Sequence, residues 1–173
     1  MATFQTKVQK INSTFFVRIP KSESAKLPSR GMVMVKGKIN NFDFQEPLEP
    51  DGKGSHIYVL DDKFLKQLKA GEGDSVSMQI ETTKDWTNPE VPKDLKKALT
   101  SNQPIHRIWV SLTPMARWDW IRWINGTKNP ETRAIRIEKT LSKMKGGTKR
   151  PCCFNRTECT NPSISQGGIL VEL

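Results

Sequence analysis

Short runs in which apolar and polar residues alternate fill the first half of the chain. TFQTKVQKI from Thr3, TFFVRIP from Thr14, GMVMVKGKIN from Gly31, FDFQEPL from Phe42, SHIYVL from Ser55 and DSVSMQIETT from Asp74 predict six strands. Successive side chains of a strand point to opposite faces, so Phe15, Val17 and Ile19 share one face, as do Val76, Met78 and Ile80. The opposite faces read as mixed polar, the pattern of one-sided burial. Turn residues separate the runs: Asn12-Ser13, Pro28-Ser29-Arg30-Gly31, Asn40-Asn41, Asp51-Gly52-Lys53-Gly54 and Gly73-Asp74. Strands this short and closely spaced predict a small barrel or sandwich. One helix interrupts them, over residues 62–70, with Asp61 as its cap, Phe64, Leu65 and Leu68 as its stripe and Gly71 as its left-handed stop.

After Trp86-Thr87-Asn88-Pro89-Glu90-Val91-Pro92, which carries two prolines in four residues, the apolar period changes from two to about 3.6. Leu95, Ala98 and Leu99 give residues 93–100 an apolar edge, and Ile105, Ile108 and Trp109 mark a second short helix. In residues 115–125 only Met115, Asp119 and Arg122 stand clear of an arc holding Trp118, Trp120, Ile121, Trp123 and Ile124, which predicts an enclosed helix. Asn129 caps a last helix with Pro130 at its first position and Ala134, Ile137, Leu141 and Met144 as its stripe. Residues 148–173 show no sustained period, and the reading is a mobile tail.

Charge changes the picture of the second half. Residues 1–90 carry 13 Lys and Arg against 12 Asp and Glu, whereas residues 91–173 carry 15 against 6, so +9 of the +10 lies after residue 90. A field of that sign attracts an acidic macromolecule, nucleic acid being the most familiar. On the last helix Arg133, Arg136, Lys139 and Lys143 fall within one arc beside the apolar stripe, where they can neutralise phosphates. Trp109 and Trp118, less committed to a core than Trp120 and Trp123, are candidates for stacking on bases or sugars. The competing reading of both features is plain: a solvated helix face and ordinary core aromatics.

Cys152, Cys153 and Cys159 are weak candidates for a soft metal, since adjacent cysteines lack the usual ligand spacing and no fourth ligand is near. Their bunching at one end, with no apolar leader and no span of about 20 apolar residues, points to a reducing, cytoplasmic setting. His56 and His106 have no Ser, Cys or carboxylate pattern around them that announces a triad, and both read as structural. No Walker loop, dinucleotide fingerprint or metalloprotease motif occurs, so no cofactor is implied and the expectation is a protein without catalysis.

The linear order as a whole resembles a known pairing of domains. FFVRIP, GMVMVKGKINNFDFQEPLEPDGKGSHIYVL and GEGDSVSMQIE are similar to an N-terminal domain of unknown function whose members form a double-split β-barrel, the architecture of AbrB-like and MazE-like transcription factors. VPKDLKKAL and LTPMARWDWIRWINGTKNPETRAIRIEKTLSKMKGG resemble the YdeI/OmpD-associated, or bacteriocin-protection, helical domain, with PETRAIRI the most specific part. Thr127 stands where that pattern usually has Ala, and RPCCFNRTEC looks like an extension found on some relatives. The resemblance covers about residues 3–147 and brings no catalytic residues with it.

The expectation is therefore an α+β chain: a six-stranded, double-split-like barrel over 3–84, a bundle of three to four helices over 92–147, and a flexible Cys-containing tail over 148–173. Its expected role is a binding module for an acidic partner such as nucleic acid. The alternative is a stress or antimicrobial-tolerance factor that takes a small ligand or protein between barrel and helices.

Overall fold

A computed structural model describes residues 1–151 and 154–172. Its contacts divide the chain into two units: Met1–Trp86 with Arg156–Cys159 and Ser163–Leu173, and Thr87–Asn155 with Thr160–Pro162.

In the first unit, strands β1 (Ala2–Ile11), β2 (Thr14–Arg18), β3 (Val33–Ile39), β4 (Phe42–Pro50), β5 (His56–Leu60) and β6 (Ser75–Thr82) close into a barrel in the order β1-β2-β5-β4-β3-β6. All neighbours are antiparallel. Two long strands make closure possible. The first residues of β1 pair with β6 and its last with β2, while β4 pairs first with β3 and then, at Glu49 and Pro50, with β5. Each long strand thus turns a corner between two four-stranded sheets. Val17, Ile19, Val76, Met78 and Ile80 lie in the interior as their alternation predicts, with Phe15 half-buried against them.

Gly37 is where β3 passes closest to β6: a Cβ built there would fall on the backbone carbonyl of Gln79. It stands on the inward row between Val35 and Ile39, paired with Ile80 on one side and Phe44 on the other. A glycine here lets the backbones of β3 and β6 come together where any side chain would hold the strands apart.

Helix α2 (Asp62–Leu68) is capped as expected, the Asp61 side chain accepting from the Phe64 N–H at 2.7 Å. Its stop is Lys69, at φ 52°, and not Gly71. Leu65 and Leu68 complete the core on the interior side, and α2 ends there, two residues short of the expected 62–70. A short helix, α1 (Lys21–Ser24), had no periodic signal to announce it.

The reading of one-sided burial fails for β2 and β5. Phe16 and Ile57 are fully buried on the side away from the barrel interior, joined by Ile11, Cys159, Ile164 and Leu170 in a separate apolar cluster. The segment expected to be a mobile tail is what covers them. It forms a small hairpin of β7 (Ser165–Gln166) and β8 (Ile169–Leu170), tied down by Leu170 N–H to the Asp51 carbonyl at 2.8 Å and Asn12 Nδ2 to the Ser163 carbonyl at 2.7 Å. Cys152 and Cys153 lie outside the described residues; Cys159 is buried as an apolar group in this cluster.

The second unit is a bundle of α3 (Lys93–Thr100), α4 (Gln103–Ser111), α5 (Pro114–Asn125) and α6 (Pro130–Lys145). Asn102, Thr113 and Asn129 cap the last three through their side chains, each followed by a proline at the start of its helix. Leu95, Leu99, Trp109, Trp120, Ile124 and Met144 are among the residues filling its core. No described helix is long and apolar enough to cross a membrane.

Replacing Gly37 by Ala is expected to cost the barrel more than about 3 kcal/mol, because the new methyl meets backbone and not a side chain that can move aside. Urea unfolding followed by circular dichroism checks this, with Gly54→Ala as a milder comparison, since a Cβ at Gly54 meets nothing within 4 Å and only its φ of 91° is strained.

Candidate functional site

The basic arc on α6 is only partly a free face. Arg133 donates through Nε to Asp94 Oδ2 at 2.7 Å and through Nη2 to Asp94 Oδ1 at 3.0 Å, a bidentate pair joining the first turns of α3 and α6, and its Nη1 reaches Asn125 Oδ1 at 2.7 Å. That guanidinium holds the Asp94 carboxyl below the usual carboxylate range. Arg136 donates to the Trp123 carbonyl at 2.7 Å, satisfying the end of α5, and its guanidinium lies 5.4 Å from the centre of the Trp123 ring. Lys139 is exposed, and Lys143 is half-buried with a partner of its own. Two of the four cations therefore knit the bundle together, Lys143 is engaged as well, and Lys139 carries charge at the surface.

The apolar stripe of α6 is also displaced. Ile137, Thr140 and Met144 are buried, Leu141 is half-buried and Ala134 is exposed. Thr140 joins the buried set because its hydroxyl is satisfied by the Arg136 carbonyl at 2.7 Å.

The candidate stacking residues divide as well. Trp109 is 3% exposed inside the bundle core and offers no face to a ligand. Trp118 is half-buried, its indole N–H donating to the Thr87 carbonyl at 2.9 Å.

Asp119 and Arg122, expected on the open side of α5, are buried instead. The chain after α6 crosses that side: Arg150 pairs with Asp119 at 3.4 Å, the Phe154 ring lies 5.2 Å from the Arg122 guanidinium, and Trp120 donates to the Lys149 carbonyl at 2.8 Å. A helical wheel sees one helix at a time, so a polar face covered by a later aperiodic segment is invisible to it.

In the barrel, pattern reading missed a half-buried carboxylate on an inward row of β4. Phe44, Glu46 and Leu48 alternate along β4, and Phe44 and Leu48 belong to the core, so Glu46 occupies an inward row opposite Val35. Burial raises its pKa, and the nearby Asp61 adds to the effect. Tyr58 is pushed far up by burial, then by Glu46 and Asp61. Two rings stand against it, Phe44 centred 5.0 Å away and Phe64 set edge-on at 6.4 Å. The signal in the sequence was the acid at an apolar step of FDFQEPL.

His56 is held as a structural group. It is 1% exposed, with Nδ1 2.7 Å from the Ser24 hydroxyl and Nε2 2.8 Å from the Gly31 carbonyl. Because a carbonyl only accepts, Nε2 carries the proton and Nδ1 accepts from Ser24. Burial keeps the ring neutral by lowering its pKa. A groove of about 530 Å³ on the barrel is rimmed by the Lys36–Glu81 and Lys38–Asp43 pairs, at 3.2 and 2.8 Å, so its charges neutralise one another.

Arg136→Gln is expected to lower stability by about 1–2 kcal/mol and Arg133→Gln by about 1 kcal/mol or less, given its partly exposed pair. Lys139→Gln should change it by less than about 0.5 kcal/mol. Thermal melts of the three variants separate structural cations from surface ones. Glu46→Gln is expected to stabilise the chain by about 0.5 kcal/mol at pH 7, since the amide removes a charge that burial and Asp61 disfavour. Wild type binds that proton more tightly folded than unfolded, so its deficit against the variant should shrink as pH falls from 7 toward the ordinary carboxylate value. Paired urea titrations across that range read the difference.

Comparison with known proteins divides the chain at the same place as its composition. Residues 4–80 match the model for the domain of unknown function DUF1905, and residues 88–147 match the bacteriocin-protection, YdeI or OmpD-associated model. No curated protein matches the chain. The barrel and the four-helix bundle correspond to these two matches in order, and the chain joins a DUF1905 domain to a YdeI or OmpD-associated domain.

Proposed function

We propose that the chain is a binding module, not an enzyme, and that its helical unit docks on an acidic macromolecule, nucleic acid in the first instance. One observation carries this reading. Residues 87–155 hold fourteen Lys and Arg against five Asp and Glu, a net +9, while the barrel unit is near neutral.

Exposure refines which cations serve. Lys93, Lys96 and Lys97 on α3 and Lys139 and Lys145 on α6 are exposed, on two helices that the Arg133–Asp94 pair holds together. Asp94 is already neutralised by that pair, leaving Glu131 and Glu138 as the exposed carboxylates of α6. Lysines of this kind act as point charges on phosphates and select weakly among sequences. Catalysis by the buried Ser24–His56 contact is disfavoured by its geometry: Ser24 is fully buried and both His56 ring nitrogens are engaged.

The second reading, a tolerance factor, is favoured by the bacteriocin-protection description of the matched helical domain. It calls for a defined small-molecule or protein ligand and little dependence on salt.

Titration of a fluorescent duplex and a single strand at two salt concentrations distinguishes the two. Affinity should fall steeply with salt, with little sequence preference, because each neutralised phosphate releases condensed counterions. Changing Lys93, Lys96, Lys97, Lys139 and Lys145 to Gln should flatten the salt slope by about 0.7–0.9 for every phosphate no longer neutralised, while leaving the melting transition in place. Equal weak binding by wild type and variant, or none at low salt, ends the nucleic-acid reading.

A further inference from the structure

The C-terminal segment is held on the barrel in the manner of a bound peptide. It adds no strand to the barrel: β7 and β8 pair with each other in a sheet of their own. What it delivers is a set of apolar anchors and a carboxylate. Ile164 and Leu170, 0% and 2% exposed, insert beside Phe16 and Ile57 on the outer side of β2 and β5. Two residues beyond Leu170, the Glu172 carboxylate spans Arg18 at 3.3 Å and Lys53 at 3.2 Å.

The barrel is shaped for this approach. A Cβ at Gly52, in the turn between β4 and β5, would fall on the Gly168 carbonyl, and Gly52 is at φ 82°. The same turn presents the Asp51 carbonyl to the Leu170 N–H. Apolar recess, backbone acceptor and paired cations thus all engage one short stretch, which carries Leu two residues before Glu. The segment that fills them lies beyond both family matches, whereas the recess is built from strands inside the first.

We propose that the outer face of β2 and β5 is a docking surface for an acidic peptide of the form Leu-x-Glu on a partner protein, and that this chain's own C-terminal segment occupies it as a built-in ligand. The two ion pairs are solvent-exposed and weaken with salt, so they tune release, while the apolar anchors give most of the affinity. A partner peptide competes with a tethered segment whose effective concentration is of roughly millimolar order.

The test uses the full chain and a labelled peptide of residues 160–173. Wild type should bind it at least tenfold more weakly than Leu170→Asp, in which the resident segment loses its anchor. Glu172→Gln in the peptide should weaken binding to the variant several-fold at low salt and make little difference at high salt. A Leu170→Asp chain that melts cooperatively yet binds no better than wild type overturns the proposal. Hydrogen exchange on wild type decides the case in which that variant fails to fold. The Leu170 and Val171 amides should exchange at least tenfold faster than those of Phe16 and Ile57, showing release with the barrel intact. Equal protection would make the segment a permanent part of the barrel and refute its role as a displaceable ligand. A wild-type dimer dispersed by added peptide would assign the surface to a second copy and overturn the partner reading.

Discussion

Closure of six short strands into a barrel is the constraint from which the rest of the first unit follows. A closed sheet leaves no strand edge to pair with another chain, but it demands that β1 and β4 each serve two sheets and that β3 and β6 pass unusually near. The second demand falls on Gly37, the only residue type whose backbone fits against the Gln79 carbonyl. Once closed, the interior is small and filled by Val17, Ile39, Leu48 and Met78, so further apolar residues on the strands must find cover outside. Phe16 and Ile57 do so under the hairpin of β7 and β8.

The helical unit meets a different problem, that of placing polar groups. Its helices are short, and α5 carries three tryptophans together with Asp119 and Arg122. The aromatic side is satisfied by neighbouring helices and by the Lys149 carbonyl, which accepts from Trp120, while Arg150 and Phe154 bring a cation to Asp119 and a ring to Arg122. Burial of charge is eased because Asp119 lies against the Arg150 guanidinium and Arg122 against the face of the Phe154 ring. Cations in this unit consequently have two kinds of work. Arg, with its planar fork, links helices at positions 133 and 136, and Lys remains at the surface.

Local periodicity made the six strands and four main helices legible, since each buries a face within its own length. Residues 93–100 show this most directly, Leu95, Ala98 and Leu99 marking a helix whose bounds the structure reproduces. Features that depend on partners distant in sequence were not legible. Cys159, Ile164 and Leu170 are separated by five and six residues, a spacing with neither strand nor helix period, so their common burial could not be seen. Phe16 and Ile57 were visible as apolar residues, yet alternation placed them on a face without a known cover. Arg133 and Arg136 looked like surface cations because Asp94 and the Trp123 carbonyl come from other helices. Glu46 was the converse case, where strict alternation would have flagged an acid among core positions.

The bond from the Trp120 indole to the Lys149 carbonyl has an optical corollary. Trp120 is fully enclosed and stands 6.0 Å from Trp123 in an edge-on arrangement, so its emission belongs to a dry environment fixed by a single backbone oxygen. Detachment of the stretch around Lys149 admits water to that indole and shifts its light to longer wavelength while the far-ultraviolet signature of the helices stays unchanged. The molecule therefore carries an intrinsic dye that distinguishes peeling of its C-terminal stretch from loss of the bundle itself.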